Sequence, residues 1–176
     1  MRHLHFGKLF FVVFSLLLAY TVSARKPIKT LLITGQNNHN WQVSHVVLKQ
    51  ILENSGRFDV DFVISPEQGK DMSGFVLDFS PYQLVVLDYN GDSWPEETNR
   101  RFLEYVQGGG GVVIYHAADN AFVNWPEYNK ICALGGWENR DEKAGPYVYW
   151  SDGKLIKDSS AGVGGSHGKQ HEYVLN

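Results

Sequence analysis

Three short segments of this chain set ionisable or amide side chains beside an aromatic, a combination suited to gripping a polar ring and moving a proton on it. They are His39, Asn40 and Trp41, then Asp88, Asn90, Asp92 and Trp94, then His116, Asp119, Asn120 and Phe122. Asp and Asn engage hydroxyl groups, and an aromatic face packs against the C–H surface of a sugar. Histidine, with an ordinary pKa of ~6.5, takes and gives a proton near neutral pH. These properties make His116, Asp88 and Asp119 the candidates for catalysis. His39, Asn40, Trp41, Asn90, Asp92, Trp94 and Asn120 are the candidates for holding a substrate. A plainer reading stays open beside this one. Asn, Asp and Gly make turns unaided, Trp41 and Trp94 can staple helix starts, and His116 can be a core histidine bonded to a carbonyl.

A second use is open to His116, as a ligand of a divalent metal together with His39 and His171. His167 and His171 are four apart, the spacing that puts two side chains on one helix face. The glycines at 165 and 168 argue against a helix there, so either histidine would have to reach in from a loop. Zinc-like and oxygen-rich sites are not separable on these residues. Nucleophilic chemistry finds less support. Cys132 lies in a short helical pattern among Ile131, Ala133 and Leu134, the setting of a buried structural thiol. No Gly-x-Ser-x-Gly elbow is present, and Ser166 sits in a glycine-rich loop.

Each candidate segment follows an apolar run that reads as a strand. Ile28 to Thr34 comes first, then the Leu84 to Leu87 core of a run starting at Tyr82, then the four apolar residues that lead from Gly111 and stop at His116. The last two read as buried parallel strands. Trp41 to Ser55 has helical periodicity with Val43, Val46, Val47, Gln50, Ile51 and Asn54 tracing its faces, and Gly56 stops it. Phe58 to Ile64 alternates as a strand near one edge, and 65–80 reads as a loop. Pro95 opens a helix with Phe102, Leu103 and Val106 on its buried face, closed by the glycines at 108–111. That glycine run leads into a strand, so it suits a cap better than a phosphate cradle. Pro126 to Leu134 reads as a short helix, Pro146 to Ile156 as a hairpin turning at Asp152 and Gly153, and Glu172 to Leu175 as the start of a strand. Strand and helix alternate as in a parallel α/β sheet with right-handed crossovers. In such sheets ligands bind outside the carboxyl ends of the strands, where all three segments fall.

Residues 1–24 stand apart from this pattern. Arg2 and Lys8 precede an apolar run, and Val22, Ser23 and Ala24 resemble a cleavage site, which is the layout of a secretory signal peptide. The uncharged run is shorter than the ~20 residues of a membrane span, so an exported domain over 25–176 is expected, free of the membrane after cleavage. Removing that leader takes away two positive charges and no negative ones, moving the formal charge from −3 to −5. A mildly acidic domain lacks the basic footprint of a nucleic-acid binder. With Cys132 as the only cysteine, no intramolecular disulfide can form, and folding rests on packing. The chain stops at Asn176 without a cap or closing helix, so a missing C-terminal portion is expected.

Taken together, the residues resemble the ThuA-like (trehalose utilisation) family of the class I glutamine amidotransferase-like superfamily. The resemblance runs from about Lys29 to the end. It is carried by Leu31 to Gly35 with His39 to Trp41, by Val85 to Asp88, by Gly109 to His116, by Leu134 to Gly136 and by His167 to His171. It implies a flavodoxin-like, mostly parallel sheet flanked by helices, with the site at the carboxyl edge. Amidotransferases carry a cysteine nucleophile at the elbow where this chain reads Tyr115, His116 and Ala117, so amidotransferase activity is not expected. The resemblance implies work on keto-disaccharides or glycosides. Proton abstraction beside a carbonyl suits a histidine, whereas hydrolysis needs two carboxylates, for which Asp88 and Asp119 are the pair at hand. A non-catalytic carbohydrate-binding or accessory module is the competing class. Family members extend well past the equivalent of Asn176, which agrees with a truncated C-terminal part.

Overall fold

The computed structural model describes residues 26–133, 140–164, 169, 171, 172 and 174. The expected leader and cleavage point, and most of the 165–176 stretch, lie outside them. Strand β1 (Ile28–Thr34) leads through helix α1 (Trp41–Asn54) to β2 (Phe58–Ile64). After a long connection, β3 (Leu84–Leu87), helix α2 (Glu96–Gln107) and β4 (Gly111–Ile114) follow. A 3-10 turn (His116–Asn120) comes next, then helix α3 (Pro126–Cys132) and a hairpin of β5 (Tyr147–Ser151) and β6 (Lys154–Asp158). The first four strands form one parallel sheet in the order β2-β1-β3-β4. The fold is α/β and flavodoxin-like, with a mostly parallel sheet flanked by helices.

The central strands are the apolar ones because both of their faces are covered. Leu31, Ile33, Val85 and Leu87 enter a large aromatic core with Phe79, Tyr89, Trp94, Phe102 and Tyr128. Leu32, Val60 and Val86 point to the other face, where Leu48 and Leu52 of α1 cover them. The apolar stripe of α1 is not its packing face. Val43, Val46, Val47 and Ile51 are 44–61% exposed, and the helix turns Leu48, Leu52 and His45 inward instead. Gly111 to Ile114 also differs from expectation. It pairs with β3 alone, so it is a half-buried edge strand among the described residues, with Val113 open to solvent.

The connection from β2 to β3 forms no helix or strand, as its sequence suggests, yet it is part of the core. Phe75, Leu77 and Phe79 are buried in it while Val76 and Asp78 turn away. Thr98 of α2 pins this strap, donating to the Phe75 carbonyl at 2.7 Å and accepting from the Leu77 amide at 3.3 Å. The hairpin turns at Asp152 and Gly153, both at positive φ, as a tight two-residue turn demands.

Candidate active site

β1 and β3 lie side by side, but the chain leaves them in opposite directions across the sheet, to β2 and to β4. Strand order therefore reverses between them, and a crevice opens at their carboxyl ends. Gly35 starts the loop after β1 with φ of 120°, and a Cβ there would stand 2.5 Å from the Ser65 amide nitrogen, so only glycine fits. The loop then rises past Asn37, whose Oδ1 accepts from the His39 amide at 2.9 Å and fixes the approach of His39.

The crevice holds a cavity of about 170 Å³ lined by Asn37, His39, Asn40, Ser44, Asp88, Tyr115, His116 and Ala117. Asp88, just past β3, is 1% exposed. Its Oδ1 accepts from Asn37 Nδ2 at 3.0 Å, and its Oδ2 from Ser44 at 2.5 Å and Thr34 at 3.5 Å. Burial pushes its pKa above the ordinary carboxyl value, opposed by the Ser44 and Thr34 hydrogen bonds and by the charges of His45 and His39. His116 stands one residue beyond Tyr115 at the end of β4, with φ of 47°. A non-glycine residue held in left-handed backbone stores strain, and such positions cluster at working sites. Its ring centroid lies 4.6 Å from that of His39, with the planes tilted by 43°. Both histidines are exposed, so the two imidazoles share an open cavity with a shielded carboxyl group.

Of the residues singled out in the sequence, His39, Asn40, Asp88 and His116 come together here. The others go elsewhere. Trp94 is 3% exposed and packs among Tyr89, Phe102 and Phe122, so its ring belongs to the core and cannot flank a ligand in the crevice. Trp41 is half-buried with its ring 5.8 Å from His45, off the cavity wall. Asp92 accepts from the Gly69 amide at 2.6 Å and ties down the strap. Asn90 donates to Asn38 at 3.4 Å, bracing one site loop against another. Asp119 is exposed, and its charge reaches Cys132 and Tyr128 on the α3 side. Asn120 has its Oδ1 buried without a hydrogen-bond partner, outside the cavity wall. Phe122 packs in the core. Sequence reasoning missed Asn37, Ser44, Thr34 and Tyr115. Ser44 lies one helical turn beyond Asn40, a spacing that would have put it on the same face.

Burial pushes the Cys132 thiol up to about 11, in keeping with an inert structural cysteine. A protein-held zinc takes at least three side-chain ligands. Among the described residues no group of three or more His, Cys, Asp or Glu is arranged to hold a metal ion. The trio of His39, His116 and His171 is therefore not assembled. His171 is exposed, with its Nδ1 3.0 Å from the Lys169 carbonyl oxygen. Among the described residues, too, no helix is long and apolar enough to cross a membrane.

No protein-family model and no curated protein matches the chain. A crystal structure of a protein described as ThuA-like, from Parabacteroides merdae ATCC 43184, is similar to it, with 91% identity and a TM-score of 0.78. The match covers 83% of this chain and 52% of that one, so this chain spans about half the length of its similar structure.

Proposed function

We propose that the chain belongs to the ThuA-like family and is the site-bearing part of an exported enzyme that acts on keto-disaccharides or glycosides by histidine acid–base chemistry. The juxtaposition of His39 and His116, 4.6 Å apart over a buried carboxyl group, carries the reading. Its likeness to the ThuA-like protein of Parabacteroides merdae supports the family and, through the family's name, the trehalose-utilisation type of substrate.

Imidazole exists in both protonation forms near neutral pH, so one ring can take a proton while the other gives one. On a keto-sugar the neutral ring removes the proton from the carbon beside the carbonyl, and the protonated ring donates to the carbonyl oxygen, leaving an enediol. Delivery of one proton to the former carbonyl carbon, with removal of the proton from the neighbouring hydroxyl, then isomerises the sugar and resets both rings. Loss of a leaving group instead completes an elimination. Asp88 positions rather than reacts, since both its oxygens are held by Asn37, Ser44 and Thr34. Asn40 and Tyr115 supply the wall that meets hydroxyl groups. At about 170 Å³ the cavity is below the usual size for drug-like ligands, so it suits one sugar unit of a larger molecule. The protein's own groups need no amidotransferase-type thiol, because His116 occupies the elbow.

His116→Asn removes the titrating group but keeps size and polarity. Turnover of a keto-disaccharide should fall by about 10²-fold or more while ligand affinity changes little. Unchanged turnover in this variant, with binding intact, would exclude His116 as the proton-transfer group. A binding module would show affinity without turnover in the parent chain.

A further inference from the structure

A second cavity, of about 300 Å³, lies between α3 and the short turn at Glu142–Ala144. It is lined by Asn124, Asn129, Lys130, Arg140, Asp141 and Lys143, among others. Arg140 is the unusual member, being 3% exposed. Its Nε donates to Asn129 Oδ1 at 2.8 Å and its Nη2 to the Ala121 carbonyl at 2.6 Å. Both acceptors are neutral, and the buried Nη1 has no hydrogen-bond partner at all. A buried guanidinium with an unmade bond is costly. Asp119 adds a negative charge to this neighbourhood, felt at Cys132, yet Nη1 still lacks an acceptor.

The two lysines on the wall add positive charge. Lys130 is exposed, and Lys143 is 82% exposed and only loosely paired with Asp141 at 3.7 Å. Asp141 is itself occupied in accepting from the Lys143 amide at 3.0 Å. Three cations against one engaged carboxylate leave the cavity electropositive in a chain whose formal charge is −3.

We infer that this cavity binds a small molecule through an oxyanion, a carboxylate or phosphate group that completes the hydrogen bonding of Arg140 with Lys130 and Lys143 closing over it. Pairs of oxygens on a carboxylate or a phosphate match the guanidinium fork, and charge-assisted bonds of this kind are the strong ones. The site is separate from the His39–His116 cavity and does not depend on the reading given for it.

The test uses the full chain with sodium phosphate and sodium acetate as probes, compared with sodium chloride at matched ionic strength, by calorimetry and thermal unfolding. Saturable binding of either probe, with a midpoint rise that chloride does not give, is expected. Response to phosphate alone marks a phosphate ester as the ligand class, and response to acetate alone a carboxylate. The double variant Lys130→Ala with Lys143→Ala keeps the buried network and should bind about tenfold more weakly. Arg140→Gln should abolish binding, and if it does not fold the lysine variant still decides. Equal response to chloride, or undiminished binding in the lysine variant, overturns the proposal.

Discussion

Asp88 sits closed away from water beneath two exposed imidazoles, and its proton affinity follows from that position. Because burial raises its pKa, the folded chain holds this proton more tightly than the unfolded chain, whose carboxyl titrates near 3.9. Its stabilising contribution is therefore complete below the unfolded value and declines as pH rises through the higher folded value. This is the reverse of a salt-bridged aspartate. Asp88→Asn keeps the shape and removes the titration, while imposing a pH-independent cost where its amide meets the Ser44 and Asn37 donors. Urea unfolding from about pH 3.5 to about pH 6 should show the variant gaining on the parent as pH rises. A constant difference across that range would mean that the hydrogen bonds from Ser44, Asn37 and Thr34 fully offset the burial of the charge.

At the scale of elements, the strap from β2 to β3 replaces a crossover helix and is pinned to α2 by Thr98, with Arg101 donating to the Leu77 carbonyl at 3.3 Å. Thr98 is fully buried, and its hydroxyl serves both a carbonyl and an amide of the strap. Thr98→Val preserves volume but leaves two buried backbone groups unpaired, so it should cost about 2–4 kcal/mol in urea unfolding. A loss under about 0.5 kcal/mol would show that the strap finds other partners. The strap also marks where the sequence is hard to read. Phe75, Leu77 and Phe79 alternate like a strand, but the stretch is bracketed by glycine and proline and pairs with nothing, so only the assembled core reveals their burial. The strands around Leu31 to Ile33 and Leu84 to Leu87 were legible because short continuous apolar runs of this kind need cover on both faces. His39, Asp88 and His116 were legible for the same reason, as polar residues directly beyond such runs. Ser44 and Asn37 were not, because their service to Asp88 depends on how α1 lies across the end of β3. Trp94 was misread because an aromatic after a polar turn has no sequence mark for the direction it faces. The hydrogen bonds that fold Asp92 and Gln36 back on the strap turn that segment, and the ring goes inward.

For the molecule as a whole, the sheet divides its stabilisation unequally between two faces. One holds Trp94, Phe102, Tyr89, Phe122 and Tyr128 in a chain of ring contacts, and the other, among the described residues, the smaller cluster of Leu32, Val60 and Val86 under α1. The face that α1 turns outward, with Val43, Val46, Val47 and Ile51, looks like a core stripe in sequence but buries little. Two substitutions separate these readings. Trp94→Ala removes a buried ring from a packed aromatic cluster, losing transfer energy and leaving a cavity, so it should cost about 3–5 kcal/mol. Val46→Lys places a charge on a position that is 54% exposed and should change stability by no more than about 0.5 kcal/mol. Both are read by urea unfolding of the same chain at one pH. If Trp94 instead faced a ligand, its truncation would leave stability nearly intact and weaken sugar binding. If the α1 stripe were packed in this chain, Val46→Lys would be strongly destabilising too, because it would bury an unpaired charge.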